Sequence, residues 1–358
     1  MITDYGIEGE EIDTQNTISF SFVANLDAPK RVDLFLVEHC ASITSRSQVK
    51  NRLIDVFIND QPAKLSARLV DGDRVKGNLQ NIDIQTGLIP EKLNAAVIFE
   101  NNDVLVVCKP HGMVVHPGNG NHSGTLLHGI AGYISGLQNA FEGAEEDIQQ
   151  RPGIVHRLDK DTSGVIITAK HPTAHAQLSH QFAQRMVGKL YLAVVHGRPP
   201  HVRGRIEARL ARDPKNRKRF AVTQSMRIGK SAATRYLTVC SNQNYSLVAL
   251  YPETGRTHQL RVHMQHVGCP ILGDPLYSRK KTSFVQERLM LHSALLRISC
   301  PGEEQYRSLF AAPGKDWQRI FIEALPDCLL DRDSEFPEDM DWYESQLQQL
   351  MADRWPEK

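Results

Sequence analysis

Apolar residues recur along this chain in two rhythms, one alternating and one helical. Ile18 to Val23 alternates and predicts a strand. From Val32 the spacing becomes helical through Leu34, Phe35 and Leu36. Val49, Leu53 and Ile54 fit the inner face of a second short helix, with Ser45 as its N-cap. Val56-Phe57-Ile58, the turn Asn59-Asp60 and a return through Leu69, Val70 and Val75 predict a small hairpin. A polar connector from Gly77 to Pro90 then marks a domain boundary. Val97-Ile98-Phe99 and Val104 to Val107 flank an Asn/Asp turn and predict a second hairpin, followed by a Gly-rich loop and a helix from Gly124 on. Phe141 to Gln150 is polar and acidic, which predicts an exposed connection. Val165 to Ala169 is a buried strand, and Ala176, Leu178, Phe182 and Ala183 carry helical spacing. Gly188 to Gly197 predicts a strand with Tyr191, Ala193 and Val195 on one face. Ala232 to Cys240 and Tyr245 to Tyr251 predict two more strands. A helix from Thr257 would place His258, Arg261 and Gln265 on related faces.

At 358 residues the chain has room for two domains. No apolar run approaches a membrane span, and Met1 to Gln15 is acidic and polar, unlike a secretory signal. Six scattered cysteines (40, 108, 240, 269, 300 and 328) show no CxxC and no metal spacing. That pattern predicts reduced, packing cysteines in a cytoplasmic protein. The net charge of +1 hides a strong asymmetry: Arg203 to Arg235 carries eleven Lys and Arg against two acids, whereas Leu325 to Lys358 carries ten acids against three bases. A basic belt of this kind is what an RNA backbone would meet. Its centre, Arg212 to Arg219, includes Lys215, Arg217 and Lys218 among turn formers and predicts an exposed loop. Whether the tail, with Trp342, Leu347, Leu350 and Met351 at helical spacing, packs on the body or shields the basic face stays open at this level.

The densest chemistry lies in Gly153 to Lys170, GIVHRLDKDTSGVIITAK. His156, Arg157, Asp159, Lys160 and Asp161 crowd the entry to a buried strand. Buried charge is costly unless paired, so either catalysis on a polar substrate or a structural ion-pair cluster would account for it. The second polar string is Arg256-Thr257-His258-Gln259-Leu260-Arg261-Val262-His263. It lacks the carboxylates of a metal site and does not match HExxH, and the glycines before Gly124 lack the GxxxxGK[ST] of a nucleotide-binding loop.

The string HRLDKDTSG resembles the signature of the RluA-type pseudouridine synthases, and the resemblance spans about residues 30 to 325. Lys189-Leu190-Tyr191-Leu192-Ala193 is similar to the family's K-x-Y-x-A, and RTHQLRVH to its second arginine motif. Gly273 to Tyr277 and Leu291-His292-Ser293 match further segments, the latter where the family commonly has L-H-A. The resemblance implies an α+β fold with a mixed, largely antiparallel central sheet. It also implies isomerisation of uridine in RNA without cofactor or metal. Asp159 would be the nucleophile, Arg261 its partner, Tyr191 a base-stacking residue, and Arg157 the filler of the space left by a flipped nucleotide. His156 would orient the loop. Phosphate contacts are expected from Arg212, Lys215, Arg217, Lys218 and Arg219, and RNA contacts from Arg256 and His258.

Two short helices and a hairpin before the catalytic domain resemble a small S4-like α/β RNA-binding domain, although Asn59 is followed here by Asp60 where that domain has Asn-Gly. Arg46, Lys50 and Arg52 would touch phosphate there. The implied layout is a lead (1–29), the S4-like domain (30–77), a linker (78–90), the catalytic domain (91–325) and an acidic tail (326–358). His116-Pro117-Gly118 with Gly120-Asn121 is most similar to the branch acting on large-subunit ribosomal RNA, with transfer RNA as the second target. A cytoplasmic monomer is expected.

Overall fold

In the computed structural model, which describes residues 9–13, 17–43, 46–80, 88–118, 121–278, 288–328, 337 and 339–352, the chain divides into two units, Met1–Gly87 and Leu88–Lys358. In the first unit, strands β1 (Gly9–Asp13) and β2 (Thr17–Val23) pair antiparallel. A two-residue strand β3 (Lys30–Arg31), helix α1 (Val32–His39) and helix α2 (Arg46–Arg52) follow. Then come β4 (Leu53–Ile58), β5 (Gln61–Pro62), β6 (Arg68–Leu69) and β7 (Arg74–Gln80). The sheet order is β1-β2-β7-β4-β5, and β3 pairs separately with β6. Val32, Phe35, Leu36 and Val49 of the helices share one core with Ile18, Phe20, Val56, Val75 and Leu79 of the sheet. Asn59 and Asp60 both take positive φ, 48° and 66°, the geometry of a tight hairpin turn that Asn and Asp tolerate without glycine.

Several sequence expectations change in this unit. The segment 1–29 is no mere lead, because β1 and β2 belong to the sheet. Leu53 and Ile54 start β4 instead of closing α2, and Ile54 faces solvent. The run Leu53 to Ile58 is rich in β-branched and aromatic residues, and its pairing with β7 wins over the extension of a helix only two turns long. The main return strand is Arg74–Gln80, not the stretch from Leu69, so the polar connector begins only after Gln80. Ser45, expected as the α2 cap, lies outside the described residues.

The second unit is built on one sheet. Its strands are β8 (Ala96–Glu100), β9 (Val104–Lys109), β10 (Ser163–Ala169), β11 (Gly188–His196), β12 (Arg203–Arg212), β13 (Phe220–Thr223), β14 (Lys230–Ser241), β15 (Tyr245–Pro252), β16 (Leu291–Ser299) and β17 (Tyr306–Phe310). They run in the order β13-β12-β14-β15-β11-β16-β10-β9-β8, with β17 paired to β16 further along its edge. Every pairing is antiparallel except β10 with β16, so the sheet is mixed and largely antiparallel, as the resemblance implies.

Alternation along β9 and β10 sorts the layers. Val104, Val106, Val165 and Ile167 pack under α6 (Pro172–Ala183) through Ala174 and Leu178. Leu105, Val107 and Ile166 pack under α3 (Leu126–Tyr133) through Leu126, Leu127 and Ile130. Thr125 caps α3 reciprocally with His128. Short helices α4 (Leu137–Ala140) and α5 (Glu146–Gln149) follow; Phe141 is 1% exposed and anchors the segment, while Glu142, Glu145, Gln149 and Gln150 are exposed, as the polar pattern predicts.

Past α7 (Gln259–His266), helices α8 (Lys315–Ala324) and α9 (Met340–Met351) complete the main core. Trp317, Phe321, Tyr343, Leu347 and Leu350 pack there with Leu192, Val194 and Leu250 of the central strands. The tail therefore packs on the body, and the division at residue 325 does not hold. Cys240 and Cys328 form a disulfide with a Cα separation of 6.0 Å, contrary to the expectation of reduced thiols. The two are 88 residues apart in sequence, a distance at which spacing carries no signal.

Gly164 is where β10 meets β16. Its φ is 118°, and a Cβ there would stand 2.1 Å from the Ser293 carbonyl oxygen and 2.6 Å from the Ser293 nitrogen. Gly164→Ala forces the only parallel strand pair among the described residues apart. It is expected to destabilise the second unit by about 3 kcal/mol, read as a lowered urea midpoint.

Candidate active site

The loop that carries Asp159 is held from both sides. Leading into it, His156 stacks on Phe182 at 4.6 Å between ring centres, and its Nε2 accepts a hydrogen bond from the Ile167 N–H at 3.0 Å. Only a neutral imidazole can accept in this way, and burial pushes the ring down to about 3. His156 is thus a neutral acceptor that ties the loop to β10, in keeping with the orienting role expected of it.

On the far side, Lys109 at the end of β9 is fully buried and donates to the carbonyls of Pro110 (2.9 Å), Met113 (2.8 Å) and Lys160 (3.0 Å). Burial pulls its ammonium down to about 7 against the upward pull of Asp161 and Asp159. His111 meets the Asp161 carbonyl at 2.9 Å. Ser163 Oγ lies 2.9 Å from His292 Nδ1 and accepts from Arg288 at 2.8 Å, tying the start of β10 to β16. The charged string is therefore mostly scaffold, with Asp159 at its free point.

Facing Asp159 is α7. Its entry is fixed by Gln259, which donates to the Ala233 carbonyl and Thr234 Oγ1 (both 2.9 Å) and accepts from Thr254 Oγ1 (2.6 Å). His258, just before the helix, takes φ 56°, and its Nδ1 is 2.8 Å from the Tyr277 hydroxyl. Its Nε2 is 4.0 Å from Asp159. Burial pulls the His258 ring below its ordinary value, with Asp159 opposing.

One turn on, Arg261 donates from Nε and Nη2 to the two Asp274 oxygens, at 2.8 Å each, and from Nη1 to Asp159 at 3.4 Å. Burial alone would lower this guanidinium, but Asp274 and then Asp159 raise it above its ordinary value. The side chain of Arg261 is 3% exposed and that of Asp274 0%, whereas Asp159 is 19% exposed. Asp159 is thus the one member of the triad that a substrate can reach. Tyr191, on β11 beside β16, is half-buried. Burial pushes its phenol up to about 12, with the Ser293 hydroxyl pulling back.

Asp159, Tyr191, Arg261, Arg157, Arg256 and His258 line one cleft of about 570 Å³. The resemblance implied catalytic roles for the first four and RNA contacts for Arg256 and His258; the structure places all six on this one cleft. The basic residues Arg212 to Arg219 do not line the cleft; they form the end of β12 and the β12–β13 connection. Within it, Arg219 lies over the Tyr277 ring (5.1 Å) and Arg212 over Phe220 (5.2 Å). Lys215, Arg217 and Lys218 are exposed.

In the first unit the expected phosphate contacts divide. Lys50 is exposed. Arg46 pairs with Asp33 at 2.7 Å. Arg52 is 5% exposed and donates to the Ser42 and Gln80 carbonyls, so its assignment to phosphate is corrected: its fork ties α2 to β7. Asp274, Tyr277, Lys109 and Gln259 were missed as site residues. The hints were that the first two sit in the string Gly273 to Tyr277, read as pocket wall, and that Gln259 sits in the RTHQLRVH string.

A solvent-reachable aspartate against a clamped arginine, in a cleft with further cations, can receive an anionic ligand and present a carboxylate to it. The comparisons give the protein's class. Residues 103–266 match the family model described as RNA pseudouridylate synthase. The chain is 38% identical over 298 residues to the Bacillus subtilis (strain 168) protein named "Uncharacterized RNA pseudouridine synthase YlyB", covering 83% of this chain and 94% of that one. It is 40% identical over 273 residues to "Ribosomal large subunit pseudouridine synthase D" of Borreliella burgdorferi, covering 75% and 82%. A solved structure, "Human RNA Pseudouridylate Synthase Domain Containing 1", shares the fold with a TM-score of 0.51 at 23% identity, over 72% of this chain and 95% of that one. The chain belongs to the RNA pseudouridine synthase family, and it is an isomerase of that class.

Proposed function

We propose that this enzyme converts specific uridines of large-subunit ribosomal RNA to pseudouridine in the cytoplasm, with Asp159 as the essential carboxylate. The observation that carries the mechanistic part is the Asp159–Arg261–Asp274 arrangement. Pseudouridine formation breaks the N1–C1′ bond, turns the base and rejoins it through C5, without redox change or added group. The protein must therefore supply an ionised carboxylate in a water-poor place and a means of holding a loose base.

Arg261 serves the first need. A guanidinium beside a partly buried carboxylate favours its charged form, and the Asp274 clamp keeps that guanidinium from swinging away. Tyr191 serves the second as a stacking face; held protonated, its phenol takes the C5 proton only by passing its own on. Arg157, exposed at the cleft edge, fills the gap left in the RNA when the nucleotide leaves its stack, at a cost of a few kcal/mol. The β12–β13 connection and the S4-like first unit, with Lys50 exposed, add phosphate contacts that position the RNA without reading its sequence. The choice of large-subunit RNA rests on relatives named for that substrate.

A pseudouridine map of total RNA, by chemical labelling and reverse-transcription stops, tests the reading in cells with and without the gene. Defined sites in large-subunit RNA are expected to vanish on deletion and return with the wild type. Loss confined to transfer RNA would overturn the substrate, and an unchanged map would overturn the activity.

A further inference from the structure

The cleft contains two cations for which the chemistry above has no use. Arg185 and Lys189 line it together with Arg157, Asp159 and Tyr191. Lys189 lies two residues before Tyr191 on β11 and on the same face of the strand, so the two Cα atoms are about 7 Å apart. The carboxylates that line the cleft are already engaged. Asp159 faces Arg261, and Glu253 is held by Arg205 at 2.9 Å and Arg235 at 2.6 Å.

Among the described residues, neither the Arg185 nor the Lys189 side chain has a hydrogen-bond or ion-pair partner. They instead repel each other: the half-buried Lys189 is pushed down to about 8, first by burial and then by the Arg185 charge. Arg185 also stands in a strained place. It follows the α6 C-cap Gln184 with φ 59°, where glycine ends helices without strain. The chain thus keeps two neighbouring cations in a cleft, one on strained backbone, without a carboxylate for either.

We propose that Arg185 and Lys189 together seat one phosphodiester of the RNA strand, next to the nucleotide whose base is flipped against Tyr191. This rests on the functional reading above. A flipped nucleotide brings its own backbone phosphate to the edge of the cleft, and a phosphodiester is the anion that two donors without acceptors can share. Its arrival relieves the repulsion between the cations and satisfies the half-buried ammonium. The seat is separate from the β12–β13 connection, whose exposed cations act outside the cleft. It would fix the register of the strand relative to Asp159, and so which nucleotide reaches it.

The test uses the full chain and an unmodified large-subunit ribosomal RNA transcript tritiated at uridine C5. Binding is read by filter retention at several salt concentrations, and turnover by tritium release. Lys189→Met is expected to weaken binding about tenfold and to lower the salt slope by about one. The rate at saturating RNA should fall far less, so that the loss appears in KM. Lys189→Arg should restore most of the affinity and Arg185→Gln should weaken it in the same direction, which separates a phosphate seat from a folding defect.

Unchanged affinity and salt slope in Lys189→Met would overturn the proposal. So would retained affinity with a collapsed saturating rate that Lys189→Arg does not rescue, since the amine would then act in the chemistry. A wild type that binds the transcript but releases no tritium counts against the functional reading instead, while the filter assay still decides the seat.

Discussion

Asp159→Asn is expected to leave a folded protein that binds RNA within about threefold of wild type and forms pseudouridine at least about 10⁴-fold more slowly. The expectation of intact folding comes from the geometry. Arg261 is held by both oxygens of Asp274 at 2.8 Å and touches Asp159 at only 3.4 Å, so neutralising Asp159 does not strand a buried cation. The amide has the same shape as the carboxylate and can still accept from Arg261 through its oxygen. What it lacks is the negative charge and the nucleophilic oxygen. Asp159→Glu restores the charge but displaces it by about one methylene, and a misplacement of that size is expected to cost about 10²-fold in rate. Tritium release under single-turnover conditions, beside filter binding on the same transcript, measures both variants. Product formation by Asp159→Asn within tenfold of wild type would remove Asp159 from the chemistry and leave the Arg261 pair a structural one.

How much of this was legible in the chain follows from the range of the interactions. The strand after HRLDKDTSG, the Tyr191 strand and the helix bearing Arg261 were readable because each is specified locally, by β-branched runs, by alternation and by helical spacing. Their meeting in one cleft was readable through the family resemblance, because it depends on the pairing of β10 with β16 and of β16 with β11, which local pattern does not encode. Lys109 was illegible for a different reason. A lysine at the end of an apolar strand is expected to reach solvent, and only the fold supplies the three carbonyls that let it stay buried. Arg52 misled in the converse way, since a basic residue in a short helix near other bases looks available until β7 closes over it. The tail stayed open because its acids favour solvent while Leu347 and Leu350 at helical spacing favour packing, and only the fold supplies the core that Tyr343, Leu347 and Leu350 of α9 enter.

Asp274 is the residue whose removal should do most damage while touching no substrate. It lies 13 residues beyond Arg261 in a turn, and its oxygens also accept from the Leu276 and Tyr277 N–H groups at 2.9 and 3.0 Å. Asp274→Ala leaves a nearly inaccessible guanidinium with a single long contact and orphans both amides. Breaking a buried pair from one side costs about 3–5 kcal/mol, so a large fall in the urea midpoint of the second unit is expected. Activity should fall by at least about 10²-fold even where the protein is still folded, because Arg261 is then free to turn away from Asp159. Stability and catalysis separate in the double variant Arg261→Met with Asp274→Leu. Replacing both charges by apolar groups of similar size removes the stranded cation, and the part of the lost stability due to it should return, while the two orphaned amides keep the rest. The activity should not return, since Asp159 then sits in the cleft without a guanidinium to favour its ionised form. A double variant that regains stability and also turns over RNA at the wild-type rate would show that Asp159 needs no cationic partner, and the role given to Arg261 would be wrong.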